Sequence, residues 1–269
     1  MRRYFFYFVL ALSVWGAFGA SPARAQVVPK AVADAGPAPD VERIVRAFTA
    51  KETQFRKALN GYTFTRDALI QTVGFGGQIT GEYNRVSAFT FNDAGERFER
   101  ITRFPVPTLT EISFTNEDLE DLGGVQPFAL EASKINLYNF TYAGREKVDE
   151  LDTYVFDVAP KVTPKKVSER FFQGRVWVDA ADLQIVKVKG KGVPEGKQRF
   201  PTFETYREQI DGMYWFPTYT YADDQLVFPG GQTVHVRMKV RYADYKLFKG
   251  RVRVIEEGEP GDAPEGPRD

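Results

Sequence analysis

The spacing of apolar residues changes from helical to strand-like at about residue 60 of the chain. Before that point the apolar positions recur at three-, four- and seven-residue intervals, which predicts an amphipathic helix. Asp40 precedes the pattern as a good N-cap, and Asn60-Gly61 is predicted to end the helix as a left-handed C-cap. The apolar face of this helix is wide and must be covered by other elements. Its members are Val41, Ile44, Val45, Phe48, Phe55 and Leu59.

After residue 60 the apolar positions follow a period of two, which is typical of β-strands. We predict roughly ten antiparallel strands joined mostly by tight turns, with Asp211-Gly212 and Pro229-Gly230-Gly231 among the turn sequences. One further short helix is predicted over 113–124, inside the longest irregular stretch. The predicted strands are 62–73, 78–92, 96–104, 135–146, 151–159, two arms within 169–191, 199–210, 214–223 and 231–248.

The two arms form the clearest hairpin, "FFQGRVWVDAADLQIVKVKGKG". In the first arm, alternation places Val176 and Val178 on the face opposite Trp177. In the second arm, the same alternation is expected to place Val186 and Val188 together, opposite a face that carries Ile185, Lys187 and Lys189. The turn between the arms holds Asp179 and Asp182, whose side chains can accept hydrogen bonds from nearby backbone amides.

Ten consecutive strands behind one long helix are compatible with a closed up-and-down barrel, a β-sandwich or a curved open sheet. The apolar face of the helix is too wide for a helix lying on the polar outside of a barrel. A sheet that curls around the helix would bury that face directly. We therefore favour a mainly β fold with helices: a strongly curved antiparallel sheet, or unclosed β-barrel, with the N-terminal helix and the short helix packed in its concave side.

The two ends of the chain differ in composition from this domain. Residues 1–25 have a basic start, an apolar run and an Ala23-Arg24-Ala25 site, which predicts a signal peptide cleaved before Gln26. A membrane anchor is the alternative interpretation of the apolar run. Residues 26–39 are predicted to be a flexible linker, because they are rich in Ala, Pro and Gly and show no periodicity. Residues 40–255 are the predicted folded domain, and 256–269 a disordered acidic tail with Ala263 as its one apolar side chain.

Charge and composition make several classes of function improbable. The chain has 36 basic and 36 acidic side chains and no cysteine. Loss of Arg2, Arg3 and Arg24 with the signal peptide leaves a balance of −3, which gives no general attraction for nucleic acid. Without cysteine and with one histidine, neither a thiol nucleophile nor a usual zinc site can be built. We predict no cofactor, no metal site and no catalytic residue, with an uncharacterised hydrolase as a distant third class of function.

Two polar groups are interpreted as structural. His235 is expected to be a solvated strand histidine on the same face as Arg237. The lysines near the end of the second hairpin arm, Lys187, Lys189, Lys191 and Lys197, are expected to blunt an exposed sheet edge, and contact with lipid head groups is the second interpretation.

The order of three motifs resembles the family of the periplasmic lipoprotein carrier and the outer-membrane lipoprotein-sorting proteins. A helix leads into Asn60-Gly61-Tyr62; a hairpin carries Gly174-Arg175-Val176-Trp177-Val178-Asp179; and a later corner reads Asp211-Gly212-Met213-Tyr214-Trp215-Phe216-Pro217. The resemblance covers about 41–248, and the chain is longer than the usual carrier around 104–134. It implies an unclosed β-barrel with helices as a lid over an apolar cavity for acyl chains.

From this resemblance we expect a non-enzymatic, monomeric periplasmic carrier or chaperone whose partners are lipoprotein acyl chains or lipids, with envelope membrane proteins as further partners and no nucleic acid. The alternative is a ligand-sensing or scaffold module of the same fold that regulates an envelope signalling partner. Aromatic side chains on the strands are the candidate cavity residues, although strand aromatics also occur as ordinary core. The candidates are Phe89, Phe91, Trp177, Tyr206, Trp215, Tyr219 and Tyr221.

Overall fold

The computed structural model describes residues 39–92, 94–112, 129–166, 169–195 and 199–248. The predicted signal peptide, the linker up to residue 38, the short helix at 113–124 and the acidic tail lie outside the described residues. These four expectations therefore stay predictions. No helix within the described ranges is long and apolar enough to cross a membrane.

The described residues form one α-helix, one 3-10 helix and ten strands. The α-helix, α1, is Val41–Leu59, and the 3-10 helix is Ala132–Leu137. The strands are β1 Tyr62–Val73, β2 Ile79–Phe91, β3 Arg97–Arg103, β4 Tyr138–Val148, β5 Leu151–Pro160, β6 Phe171–Asp179, β7 Ile185–Val193, β8 Phe203–Ile210, β9 Tyr214–Val227 and β10 Thr233–Leu247.

All ten strands belong to one antiparallel sheet in the order β3-β2-β1-β10-β9-β8-β7-β6-β5-β4. Strands β1 to β3 and strands β4 to β10 each pair in chain order, and β1 pairs with β10, so the first and last strands meet inside the sheet. β3 and β4 are the two edges, and in the described ranges they do not pair with each other. The predicted mainly β fold with an unclosed ten-stranded sheet is confirmed.

The start of α1 agrees with the prediction, and its end does not. The Asp40 side chain accepts a hydrogen bond of 3.0 Å from the backbone N–H of Arg43, as an N-cap should. At the other end Asn60 stays in right-handed helical geometry, with φ −66°, and Gly61 does not have a positive φ. Gly61 N–H bonds to the Ala58 carbonyl at 2.8 Å, so a tight turn rather than a left-handed cap leads into β1.

The apolar face of α1 packs against one face of the sheet, which we call the helix side. The first half of the helix, with Ile44 and Phe48, shares a buried core with β4–β7 residues that include Val176. The second half, with Phe55 and Leu59, shares a core with β1, β9 and β10. Inside this apolar contact, Glu52 of α1 pairs with Arg207 of β8 at 2.6 Å, and both side chains are less than 10% exposed.

A β-bulge changes the predicted faces of the second hairpin arm. Trp177 pairs with Lys187, but its neighbour Val178 pairs with Ile185, so Val186 is the extra residue. Ile185 therefore joins Val178 in the helix-side core, and Val186 packs with Trp177 on the opposite face. The prediction for the first arm is right, and the prediction that Val186 shares a face with Val188 is wrong.

Three strand boundaries differ from the sequence prediction by more than two residues. Residues 135–137 are the end of the 3-10 helix, whose hydrogen bonds include Lys134 N–H to the Glu131 carbonyl. β8 begins at Phe203 rather than 199, because Pro201 has no N–H for the ladder and Thr202 N–H bonds to the Asp224 side chain. β9 continues to Val227 rather than ending at 223. Asp223 can lie within the strand because it is paired with Arg237, directly opposite on β10.

The prediction that the lysines blunt a sheet edge is wrong. β7 lies between β6 and β8, in the interior of the sheet. Lys187 instead bonds to Glu204 on β8 at 2.7 Å, and Lys189 contacts the same carboxylate at 3.3 Å. These lysines therefore join neighbouring strands on the face opposite the helix. Lys197 lies outside the described residues.

Candidate functional site

The helix side of β1, β2 and β3 carries aromatic, cationic and exposed apolar side chains next to an open sheet edge. Strand pairing places them in two rows: Phe64, Phe89 and Glu99 in one, and Arg66, Ser87 and Ile101 in the next. Arg85 follows Ser87 on the same face of β2. We call this surface the β1–β3 patch and add to it Phe104, which follows β3. Its members are Phe64, Arg66, Arg85, Ser87, Phe89, Arg97, Glu99, Ile101 and Phe104.

An aromatic stack forms the part of the patch nearest α1. The rings of Phe64 and Phe89 lie 4.5 Å apart and are nearly parallel at 17°. Arg66 covers the Phe89 ring at 4.9 Å, and Arg97 lies 5.7 Å and 5.8 Å from the two ring centres. Arg97 also donates a 2.7 Å hydrogen bond to the Leu59 carbonyl at the end of α1, and burial lowers its pKa. The edge strand β3 is thereby attached to the helix.

The centre of the patch holds two arginines that share one carboxylate. Glu99 accepts from Arg66 Nη2 at 2.8 Å through one oxygen and from Arg85 Nη2 at 2.7 Å through the other. Arg66 is only 4% exposed, and Ser87 is fully buried. Within the described residues, Arg66 Nε, Arg85 Nε and Ser87 Oγ have no hydrogen-bond partner. The centre thus combines excess positive charge with unused polar atoms.

The part of the patch at the sheet edge is apolar and open to solvent. Ile101 and Phe104 are each 48% exposed, and Val106 is 88% exposed. Phe104 packs edge-on against Tyr83 of β2, with ring centres 5.4 Å apart. Apolar groups of this size are exposed singly in many proteins, but here they follow one another along the edge.

A segment after β3 borders the patch on the side away from α1. Leu109 and Ile112 pack on a core made by Ile70, Tyr83 and residues of β9 and β10. The segment is fixed to β2 by two hydrogen bonds of 2.9 Å between Thr108 and the backbone of Glu82. A Cβ on Gly81 would come within 2.9 Å of this segment's backbone, so the glycine permits the close approach.

The sequence candidates are divided between the two faces of the sheet. Phe89 belongs to the patch, and Phe91, two positions further along β2, stacks on Phe248 at 4.1 Å. The other five lie on the face opposite the helix. They are Trp177, Tyr206, Trp215, Tyr219 and Tyr221.

On that opposite face the aromatic rings take part in polar contacts. Trp177 Nε1 donates to Glu146 at 2.7 Å, and Trp215 Nε1 donates to Asp182 at 2.8 Å. The Lys187 ammonium lies 4.8 Å from both the Trp177 and Tyr206 ring centres. Tyr219 and Tyr221 stack at 6.4 Å. The hairpin's tryptophan is thus buried between strands, with its polar atom satisfied.

His235 shares the face of Arg237, as predicted, and is paired rather than solvated. The side chains of His235 and Arg237 both form hydrogen bonds with the Asp223 carboxylate, and the distance from Arg237 Nε to Asp223 Oδ2 is 3.0 Å. The His235 hydrogen bond is the main cause that lowers the pKa of Asp223 to about 2; burial opposes it, and Tyr221 and Arg237 add to it. Within the described residues, no group of three or more His, Asp or Glu side chains is placed to hold a metal ion.

The opposite face also has an open groove of about 480 Å³ over β4–β7. Three cationic side chains line it, and each has an acidic partner: Arg175 with Asp157, Lys189 with Glu204 and Lys191 with Glu195. The groove therefore has little net charge with which to attract a charged ligand.

The sequence analysis missed the arginines of the patch, although β1 carried a signal. Alternate residues of β1 face the helix side: Tyr62, Phe64, Arg66, Ala68 and Ile70. Arg66 is the one charge in an otherwise apolar stripe, and a charge in a buried stripe is a recognised sign of a functional or paired site. Its partner Glu99 comes from a strand 33 residues later, which alternation alone does not identify.

Comparisons with known proteins find similar structures at low sequence identity. No family model and no curated protein sequence matches the chain. A DUF1329 family protein from Desulfovibrio piger is 15% identical, with 77% of this chain and 95% of that chain covered and a TM-score of 0.40. A LolA superfamily protein from Nitrosomonas europaea is 15% identical, with 74% and 94% covered and a TM-score of 0.33.

A third solved structure is MucB in complex with MucA(peri), at 11% identity, with 74% of this chain and 93% of MucB covered and a TM-score of 0.23. A putative outer membrane lipoprotein-sorting protein domain from Vibrio parahaemolyticus also matches, at 14% identity, with 76% of this chain and 94% of that chain covered and a TM-score of 0.34. All of these identities and TM-scores are low, so the function proposed below depends on the residues of this chain.

Proposed function

We propose that the protein is a non-enzymatic carrier or chaperone of the cell envelope that binds acyl chains of lipids or lipoproteins on the helix side of its sheet. The observation that carries this proposal is the run of exposed apolar side chains at the β3 edge, Ile101, Phe104 and Val106, next to the Phe64–Phe89 stack. Each methylene that leaves water contributes about 0.8 kcal/mol, so eight buried methylenes contribute about 6 kcal/mol.

The proposal includes a sheet that curls around α1. Phe48 in the first half of α1 contacts Phe140 of β4, with ring centres 5.7 Å apart, while Leu59 at its end binds Arg97 of β3. The two edges of a flat ten-stranded sheet would be about 43 Å apart. The two contact points are eleven residues apart in a helix, which is about 16 Å. A curled sheet brings both edges to one helix and leaves the gap between β3 and β4 as an entrance.

The patch lies beside this entrance. An acyl chain entering at the β3 edge would cover Ile101 and Phe104 and reach the Phe64–Phe89 stack next to the end of α1. The segment that carries Leu109 and Ile112 would border the chain on the other side. In this arrangement α1 and that segment act as the covers of the hollow.

The test is the binding of a fluorescent fatty-acid probe to delipidated protein. Ile101→Asp and Phe104→Ser should each weaken probe binding about tenfold or more, because a polar group replaces apolar surface where the chain lies. Phe75→Ser is the matched control, since Phe75 is fully exposed in the β1–β2 turn, outside the patch. The proposal fails if wild-type protein does not bind the probe or if all three variants bind it equally well.

A second candidate is a sensing module that regulates an envelope partner, and the groove on the opposite face supports it. That surface is separate from the patch and is lined by Gln173, Arg175 and Thr202 among others. If the protein regulates a partner there, substitutions of groove residues such as Thr202→Arg should abolish partner binding without changing probe binding. Probe and partner binding that change together would contradict this division between two faces.

A further inference from the structure

We propose that Arg66, Arg85 and Ser87 bind the anionic head group of the amphiphile, so that the β1–β3 patch selects acyl chains that end in a carboxylate or a phosphate. This inference rests on the proposed function, because it assigns the head group of a ligand whose chain lies on the same patch. Its basis is the combination of charge, burial and unused hydrogen-bonding atoms at the centre of the patch.

Among the residues that the structure describes, the charge in this centre is not balanced. Two guanidinium groups, Arg66 and Arg85, share the single carboxylate of Glu99 at 2.8 Å and 2.7 Å. The Arg66 side chain is 5% exposed and the Arg85 side chain 18%, so water compensates little of the remaining positive charge. A buried charge without a partner is costly, and a second anion at this position would remove that cost.

The unused atoms define what that anion must offer. Arg66 Nε and Arg85 Nε are donors and Ser87 Oγ can donate, and none of the three has a partner in the part of the chain that the structure describes. Arg66 and Ser87 lie directly opposite each other on paired strands. The planar guanidinium of an arginine can donate two parallel N–H groups to two oxygens of one anion, which makes it the side chain suited to carboxylate and phosphate.

Glu99 shows the kind of group that the arginines accept, because it already places one carboxylate oxygen on each of them. It lies on the edge strand β3, and its side chain is 25% exposed. Ile101, two residues further along β3, lies directly opposite Ser87 and is half exposed. A ligand with its head group at Arg66 and Arg85 would therefore place its chain on the apolar edge.

The experiment compares amphiphiles that share one sixteen-carbon chain: hexadecanoic acid, hexadecyl phosphate and the neutral hexadecanol, each measured by competition with the fluorescent probe at neutral pH. Wild-type protein should bind at least one of the two anions about tenfold or more tightly than hexadecanol. The tighter of the acid and the phosphate identifies which head group the site accepts.

Substitutions then test the residues. Arg85→Gln and Ser87→Ala should each remove most of the preference for the anion, measured as the ratio of the dissociation constants of hexadecanol and the anion for the same variant. Glu99→Gln should have the opposite effect and increase affinity for the anion, because it removes the internal negative charge. Arg100→Gln is the matched control, since Arg100 is an exposed arginine of β3 that follows Glu99 and points to the other face.

The outcomes separate this inference from the function on which it rests. If wild-type protein binds all three amphiphiles equally well, the head-group site is disproved and acyl-chain binding stands. If it binds none of them, the proposed function itself fails. If Glu99→Gln weakens anion binding as much as Arg85→Gln does, the cluster is structural and the inference is wrong.

Discussion

Glu52 and Arg207 are two buried charged side chains whose contributions to the free energy of unfolding can be measured one at a time. The pair Glu52–Arg207 joins α1 to β8, and Arg207 also lies 4.5 Å from the centre of the Phe55 ring. Removal of one partner from a buried pair leaves the other charge uncompensated and typically costs about 3–5 kcal/mol. We predict that loss for Glu52→Leu, measured by denaturant unfolding.

The double variant Glu52→Leu/Arg207→Leu is the control for that prediction. It should be destabilised by less than the sum of the two single variants, because neither charge is left alone. Additive losses would show that the two side chains act independently despite the 2.6 Å contact.

Glu204 gives a prediction about pH. Burial alone would raise its pKa, but hydrogen bonds from Lys187 and Tyr206 outweigh burial and lower the pKa to about 2. A carboxylate with a lowered pKa in the folded state contributes stability above its ordinary pKa of 4.5, and that contribution is lost as the pH falls towards 2. The stability difference between wild type and Glu204→Gln should therefore shrink over this range.

The measurement is the free energy of unfolding from pH 7 to pH 2. Glu150→Gln, at an exposed carboxylate in the β4–β5 turn, is the control and should differ little from wild type. A difference between wild type and Glu204→Gln that stays constant down to pH 2 would contradict the role given to Lys187 and Tyr206.

At the scale of elements, the β6–β7 hairpin shows what the sequence predicts well. The alternation of Val176 and Trp177 assigned the first arm correctly, and the Asp179 side chain accepts from the amides of Ala181 and Asp182, as its turn sequence predicted. These features depend on neighbours in sequence. The bulge at Val186 depends on the register between two strands, which alternation within one strand does not contain.

The same hairpin contains a close approach that only glycine permits. Gly174 and Gly190 lie opposite each other, and the Phe172 ring covers both. A Cβ on Gly174 would meet the Lys189 carbonyl oxygen at 2.2 Å and Phe172 Cζ at 2.8 Å. The backbone or the ring must then move, and overpacking of this kind costs about 1–3 kcal/mol.

We therefore predict that Gly174→Ala lowers the midpoint of denaturant unfolding substantially. Gly230→Ala is the matched control, because a Cβ there would meet nothing within 4 Å. Equal stability of the two variants would mean that the strands separate easily at Gly174 and that the close approach has little energetic importance.

For the whole molecule, the sequence predicted the number of strands, the unclosed sheet and the position of the main helix. It did not predict which of the candidate aromatic side chains lie on the helix side of the sheet. The candidate aromatic residues on β6, β8 and β9 follow the same two-residue alternation as those on β2. Alternation separates the two faces of each strand but does not say which face meets α1. Phe89 lies in the patch because its strand pairs with β1, whereas Trp177 lies on the opposite face beside Glu146.

The curl of the sheet can be measured as a distance between its edges. The chain has no cysteine, so Arg100→Cys on β3 and Thr141→Cys on β4 can each carry a spin label at an exposed position. We predict an electron–electron distance well below the 43 Å or so that a flat ten-stranded sheet would give. A distance at or above that value would contradict the curled sheet, and the entrance with it.

The central claim is that the helix side of the sheet holds acyl chains, and native mass spectrometry of protein purified from its own cells without detergent tests it most directly. The account predicts added masses that fragment to acyl-containing lipids. These masses should be retained in Phe75→Ser and lost or strongly reduced in Ile101→Asp. Bare protein in every preparation, or the same bound lipid in Ile101→Asp as in wild type, would contradict the account.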